Sequence, residues 1–329
     1  MKKVLKLLLL TVLVVATAFS MVACNNDGGN KDGKTGLLYK KISDDTCLIY
    51  DYKDSGENLS TLDIGSVLDL PDGVTKVRIK KNAFYGNDTL KTIIVSEKVT
   101  EIEAGAFANM RALETLNIPF VGKLANANYY ENSSESAPSD EKAVDSERTL
   151  AHLFGTEEYD DGCSVTVNYN TADSVTCYMP ATLKKVIVSS TKEYKIPMCA
   201  FSGAVNLDSI ELVGNITAIG VRAFENTAFD TISLPATVKD IYKEAFMNSR
   251  IKTVNIDAEA SDITVKESVF KGCTLLDKVN SQTVKTIDLS KFSSLATDAF
   301  KTGNQTIYTV LNPNNIDLSK AFDENNLQK

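Results

Sequence analysis

Histidine occurs once, at His152, and tryptophan not at all, in a chain of 329 residues. A lone histidine excludes the zinc motifs that need two imidazoles and leaves His152 as the only imidazole base for a serine or cysteine nucleophile. No nucleophile elbow or catalytic-cysteine signature accompanies it, so a structural or surface histidine is the plainer reading. Nucleotide binding is not expected either, since no G-x-G-x-x-G stretch is present. The acidic run Glu157, Glu158, Asp160 and Asp161 lacks the ligand spacing of an EF-hand loop and reads as a solvated loop. The chain is therefore expected to have no catalytic residue, no metal site and no cofactor.

What is present is a globular composition: 43% apolar and 24% charged residues, enough core-forming material for one large domain or two ordinary ones. Acidic side chains outnumber Lys and Arg by 43 to 35, a formal charge of −8. At the N-terminus Lys2, Lys3 and Lys6 precede an apolar run from Leu7 to about Phe19 and then small residues, the three-part layout of an export signal. An uncleaved membrane helix is the alternative, because the run approaches the lower limit for spanning a bilayer. Against it stands Met21-Val22-Ala23-Cys24, which resembles the lipobox of bacterial lipoproteins. The resemblance implies a lipoprotein signal peptide over 1–23, lipid attachment at Cys24 and an outward-facing, membrane-anchored protein. Several acyl chains give the stable anchoring that a single one does not. Residues 24–36, nearly free of apolar side chains, read as a flexible tether. Loss of the three leader lysines takes the formal charge from −8 to −11, too acidic for nucleic acid as the main partner.

With Cys24 lipidated, Cys47, Cys163, Cys177, Cys199 and Cys273 remain, an odd number that cannot all pair within one chain. Cys163 and Cys177 flank the strand-like SVTVNYNTADSVT, and a bridge across that hairpin is left open. Cys199 and Cys273 fall inside a repeating pattern, where each reads as a small buried hydrophobe.

That pattern is the strongest feature of the chain. Phe84, Phe107, Phe201, Phe224, Phe246, Phe270, Phe300 and a degenerate Phe322 recur at gaps of 23, 94, 23, 22, 24, 30 and 22 residues. Around each Phe the text repeats as well, for example LKTIIVSEKVTEIEAGAF and FDTISLPATVKDIYKEAF. A Leu-x-x-Ile-x-Leu segment leads to a turn, then Val/Ile-Thr-x-Ile, then Ala-Phe. Both halves have the two-residue period of strands. A unit of about 23 residues is too small to bury its own core, so stacking is obligatory and the seven Phe before the degenerate copy become an interior column.

ITAIGVRAF (Ile216 to Phe224) and ISLPATVKDIYKEAF (Ile232 to Phe246) are similar to the BspA-type leucine-rich repeat of bacterial and protist surface proteins. The resemblance covers roughly Leu70 to Phe120 and Pro180 to Phe300. It implies a β-rich solenoid with a signal and tether (1–36), an N-terminal cap (37–69), repeats (70–120), an insertion (121–179), and repeats ending in a degenerate C-terminal cap (180–329). The insertion shows no legible Ala-Phe and reads as one elaborated unit. It combines a mobile polar loop over 131–148, a short helix presenting Leu150, Leu153 and Phe154 to the solenoid, and β-rich sequence. Its tyrosines, Tyr129, Tyr130, Tyr159, Tyr169 and Tyr178, are candidates for a ligand surface, with packing onto the repeats as the alternative. The expected function is that of a surface lipoprotein binding an extracellular protein or glycan. A structural role in the envelope, or an enzyme built around His152, remains an alternative.

Overall fold

The computed structural model describes residues 29–54, 56, 59–65, 70–125, 147–168 and 174–327. The leader, Cys24 and the first part of the tether lie outside these residues. So does most of the polar loop of the insertion.

The two halves of each repeat build two ladders of parallel strands. The Leu-x-x-Ile-x-Leu segments form one ladder through Thr61–Ile64, Thr92–Val95, Thr115–Ile118 and the opening parts of Lys185–Ile196 and Ser209–Ile219. It resumes as a separate sheet with Thr231–Leu234, Thr253–Ile256, Lys278–Val279, Thr286–Asp288 and Thr309–Leu311. The Val-Thr-x-Ile segments form the other ladder: Thr46–Tyr52, Lys76–Ile79 and Val99–Ile102. After the insertion it continues through the closing parts of the two long strands to Asp240–Ile241, Ile263–Val265 and Phe292–Leu295. An antiparallel meander, Asn30–Lys31, Leu37–Lys41 and Thr46–Tyr52, closes the N-terminal end. Rungs therefore begin at Thr46 and Thr61, inside the stretch that the sequence assigns to a cap.

Each rung turns alternate side chains inward, as Leu62 and Ile64, Ile93 and Val95, and Ile232 and Leu234 show. Between the ladders runs the Ala-Phe turn. The amide of each Phe donates to the carbonyl of the residue before the next aromatic: Phe84 to Ala106, Phe201 to Ala223, Phe224 to Ala245, Phe246 to Val269 and Phe270 to Ala299. This bond holds the rings in register. Phe201, Phe224, Phe246, Phe270, Phe300 and Phe322 stack with successive centroids 5.0 to 5.3 Å apart. A second run, Tyr52, Phe84, Phe107 and Phe154, has centroids 5.4 to 6.4 Å apart.

Phe154 changes the reading of the insertion. It lies midway in sequence between Phe107 and Phe201, and the Phe107 amide donates to Leu153, so Leu153-Phe154 occupies an Ala-Phe place. The short helix of the insertion is a single 3-10 turn, Leu150–Leu153, with Leu150, Leu153 and Phe154 all buried. Sequence reasoning finds the turn and its apolar face but misses that the face completes a rung.

Candidate ligand-binding surface

Residues two positions before most of the column Phe sit in the left-handed region. Asn82, Cys199, Arg222, Glu244, Ser268 and Asp298 have φ between 52° and 60°. Left-handed backbone is unfavourable by about 1 to 2 kcal/mol for a residue with a Cβ. It persists here because the aromatic column and the rung hydrogen bonds over-determine it. Arg222 and Glu244, on adjacent units, are ion-paired at 2.8 Å with little exposure, which fixes one such pair of turns. These turns are scaffold.

Of the tyrosines singled out in the insertion, two lie among the described residues. Tyr129, Tyr130 and Tyr169 lie outside the described residues. Tyr159 is partly buried, and its hydroxyl donates to the Tyr178 carbonyl at 3.1 Å. Burial pushes its phenol well above the ordinary range, as expected of packing rather than display. Tyr178 is half-buried on the outer face of the hairpin formed by Gly162–Asn168 and Ser174–Pro180.

The hairpin also answers the disulfide question. Cys163 pairs in register with Met179, and Cys177 with Val165, so the two thiols are diagonal rather than opposite. Diagonal neighbours stand about 7 to 8 Å apart, beyond the usual disulfide span. Both are free thiols, as is Cys273. Cys273 is fully buried, bonds the Phe246 carbonyl at 2.8 Å, and has its thiol pushed up to about 12 by burial.

His152 is buried in the 3-10 turn, its amide capped by Thr149 Oγ1 at 3.3 Å. Its Nε2 is buried without a hydrogen-bond partner, and desolvation lowers its pKa, with Glu147 opposing and Lys123 adding to that shift. Glu157 reaches Lys81 at 3.6 Å on the surface. Among the described residues no group of three His, Cys, Asp or Glu side chains is placed to hold a metal ion.

One motif escapes the sequence reading. GGNKDGKT, from Gly28 to Thr35, fits the letters G-x-x-x-x-G-K-[ST] of a phosphate-binding loop. Such a loop opens a helix. Here Asn30–Lys31 is instead a strand paired with Leu38 and Tyr39, the turn returns through Gly36, and the Thr35 hydroxyl is buried against Asp32. The letters match and the required strand–loop–helix context does not.

A shallow groove lies elsewhere, on the C-terminal sheet. Thr231, Thr253, Asn255, Lys278, Asn280 and Gln282 line a groove of about 530 Å³ on the outward face of the C-terminal sheet. Thr231, Thr253 and Lys278 share one row across neighbouring rungs, and Ser233 and Asn255 another. Asn255 Nδ2 donates to Ser233 Oγ at 3.4 Å, and Asn280 Nδ2 to Asp288 Oδ2 at 3.3 Å and to Ser290 Oγ at 3.5 Å. Lysines elsewhere on these faces bond to acids of the next unit: Lys91 to Glu114, Lys185 to Glu211 and Lys252 to Asp230, at 2.6 to 2.9 Å. Lys278 makes no ion pair with any described residue.

No curated protein matches the sequence. Among solved structures, a Treponema pallidum leucine-rich repeat protein is similar at 17% identity over 81% of this chain and 86% of its own, with a TM-score of 0.35. A leucine-rich cell-surface protein of Faecalibacterium prausnitzii is 20% identical over 88% of this chain and 78% of its own, also with a TM-score of 0.35. The model of the BspA type leucine-rich repeat region matches six copies over residues 60–136 and 174–327, most of the chain. Stacked rungs, a recurring Ala-Phe turn and this match together place the chain in the BspA-type leucine-rich repeat family.

Proposed function

We propose that the protein is an outward-facing bacterial lipoprotein, anchored through Cys24, whose repeat domain binds an extracellular macromolecule and so serves adhesion to host or bacterial surfaces. The reading is that of a binding protein, not an enzyme. The observation that carries it is the groove on the C-terminal sheet: a hydrogen-bonding surface with one uncommitted lysine, held on a rigid stack of rungs. The lipobox-like Met21 to Cys24 supplies the anchor, and the acidic composition argues against nucleic acid as the partner.

Protease treatment of intact cells tests the placement. An adhesin is cleaved from outside, whereas an assembly component within the envelope survives until the cells are broken. In the same cells Cys24→Ser is expected to release the protein into the medium or to leave it unprocessed. A normal mature mass and an unchanged membrane fraction in that variant would refute the lipid anchor.

A further inference from the structure

The rung that ends in Phe154 is tied in differently from its neighbours. It has a strand in the first ladder, Thr115–Ile118, which pairs onward to Lys185–Ile196. In the second ladder it has none among the described residues. That ladder stops at Val99–Ile102, beyond which stands only an isolated antiparallel bridge between Glu101 and Leu124, and it resumes after the insertion. The segment from Leu150 to Phe154 is held instead by single bonds across the seam. The amides of Gly105 and Phe107 donate to the carbonyls of His152 and Leu153, and the Leu150 amide donates to Ala200. The Phe154 ring meets Phe107 at 6.4 Å, the widest spacing in either run of rings. Units held by few backbone bonds are the ones that open locally while the rest of a fold stays closed.

His152 sits in the middle of this segment and is buried. Its ring is hydrogen-bonded to the Ile102 carbonyl, and Nε2 has no partner among the described residues. The proton that turns imidazole into imidazolium therefore goes onto a nitrogen that neither water nor an acceptor reaches, which the closed structure resists. The charged groups nearby do not relieve this. Glu147 favours the imidazolium but is committed to Lys123 at 2.8 Å, and the Lys123 ammonium opposes a further positive charge. Glu101 and Glu103 are engaged by Arg78 at 2.7 and 3.6 Å. Arg148 is buried on the same segment as His152. The hairpin packed on the turn brings Cys177, whose thiol is pushed up to about 11 by burial and so carries no charge in mild acid.

We infer that this rung is an acid-released flap: protonation of His152 frees the segment from Leu150 to Phe154 from its place in the stack, while the rungs from Phe201 onward stay closed. In the open flap the imidazole regains its ordinary affinity for protons, near pH about 6.5. Each unit of pH below that value multiplies the opening constant by up to about tenfold, until the closed form protonates too. Acid thereby uncovers Leu150, Leu153 and Phe154, all fully buried when the flap is closed. The device is independent of what the protein binds.

The test is hydrogen exchange read by mass spectrometry on the full chain in mild detergent at pH 7.5 and pH 5, with each amide referred to its intrinsic rate at that pH. The seam amides of Gly105, Phe107 and Leu150 are expected to lose protection about tenfold on acidification, and those of Phe224, Phe246 and Phe270 to keep theirs. His152→Gln, shown by melting at pH 7.5 to be folded, keeps the seam equally protected at both pH values. Glu147→Gln, which removes the acid beside the ring and leaves the imidazole, still shows the loss. Equal seam protection in wild type at both pH values, an equal loss at Phe224, a loss that survives His152→Gln, or one that vanishes in Glu147→Gln overturns the inference. The single histidine allows a check that needs no variant: a ring titrating at or above about 6.5 by NMR in the closed protein overturns it as well.

Discussion

Phe224 shows what a single residue does in a stacked fold. Its ring lies 5.3 Å from Phe201, 5.1 Å from Phe246 and 5.8 Å edge-on from Phe229, and it is fully buried. Removing it takes one disc from the column and leaves a cavity that rung hydrogen bonds prevent from collapsing. Phe224→Ala is expected to lower stability by about 3 to 5 kcal/mol in urea unfolding, against a much smaller loss for Phe322→Ala at the open end. An unchanged midpoint for Phe224→Ala is incompatible with a stacked core.

His152 gives a second residue-scale expectation. Its pKa is lowered in the folded state, chiefly by burial, with Lys123 acting in the same direction and Glu147 and the Ile102 carbonyl opposing. As pH falls through the ordinary histidine value near about 6.5, the unfolded chain takes up a proton that the folded chain refuses. The stability that depends on a neutral His152 is present above that value and is lost on acidification below it. The melting temperature of His152→Gln is therefore expected to fall less than that of wild type between pH 7.5 and pH 5. Parallel curves for the two proteins would show that His152 does not titrate against folding.

At the scale of elements, the repeat is legible because its period is carried by side chains: Leu, Ile and Phe must face inward on every unit. What the sequence conceals is carried by the backbone. Cys199, Arg222 and Glu244 have no turn character as residue types, yet each holds a left-handed φ imposed by the column. Phe154 is hidden because Leu153 replaces the usual alanine and the insertion destroys the spacing. The groove is hidden for another reason, since outward Thr and Asn on a strand look alike whether they line a binding surface or merely face water. The disulfide question needed register, which flanking positions alone do not supply.

The junction of the insertion makes an element-scale prediction. Gly122 has a φ of +87°, and a Cβ built there would lie 2.2 Å from the Glu147 carbonyl and 2.8 Å from the Arg148 backbone. This is where the insertion returns to the repeats: the Lys123 amide donates to Glu147, and the Ile102 amide to Lys123. Gly122→Ala combines left-handed strain with a backbone clash, and a loss of at least about 2 kcal/mol is expected. Limited proteolysis should then cut first at the insertion. Wild-type resistance there would mean that the return segment is not held by this contact.

For the whole molecule, the physics of repeats separates scaffold from recognition. Each unit contacts mainly its neighbours, so the column and the two ladders fix a regular exterior, and specificity must arise where that exterior departs from regularity. Two departures stand out: the insertion, and the C-terminal groove with its uncommitted lysine. The measurement that tests the account most directly is saturable retention of proteins from host-matrix and bacterial-surface extracts by the immobilised full chain. The account predicts that at least one protein is retained by wild type, and that Lys278→Gln, equally folded, loses most of that retention. A folded wild-type chain that retains nothing from either extract would contradict it.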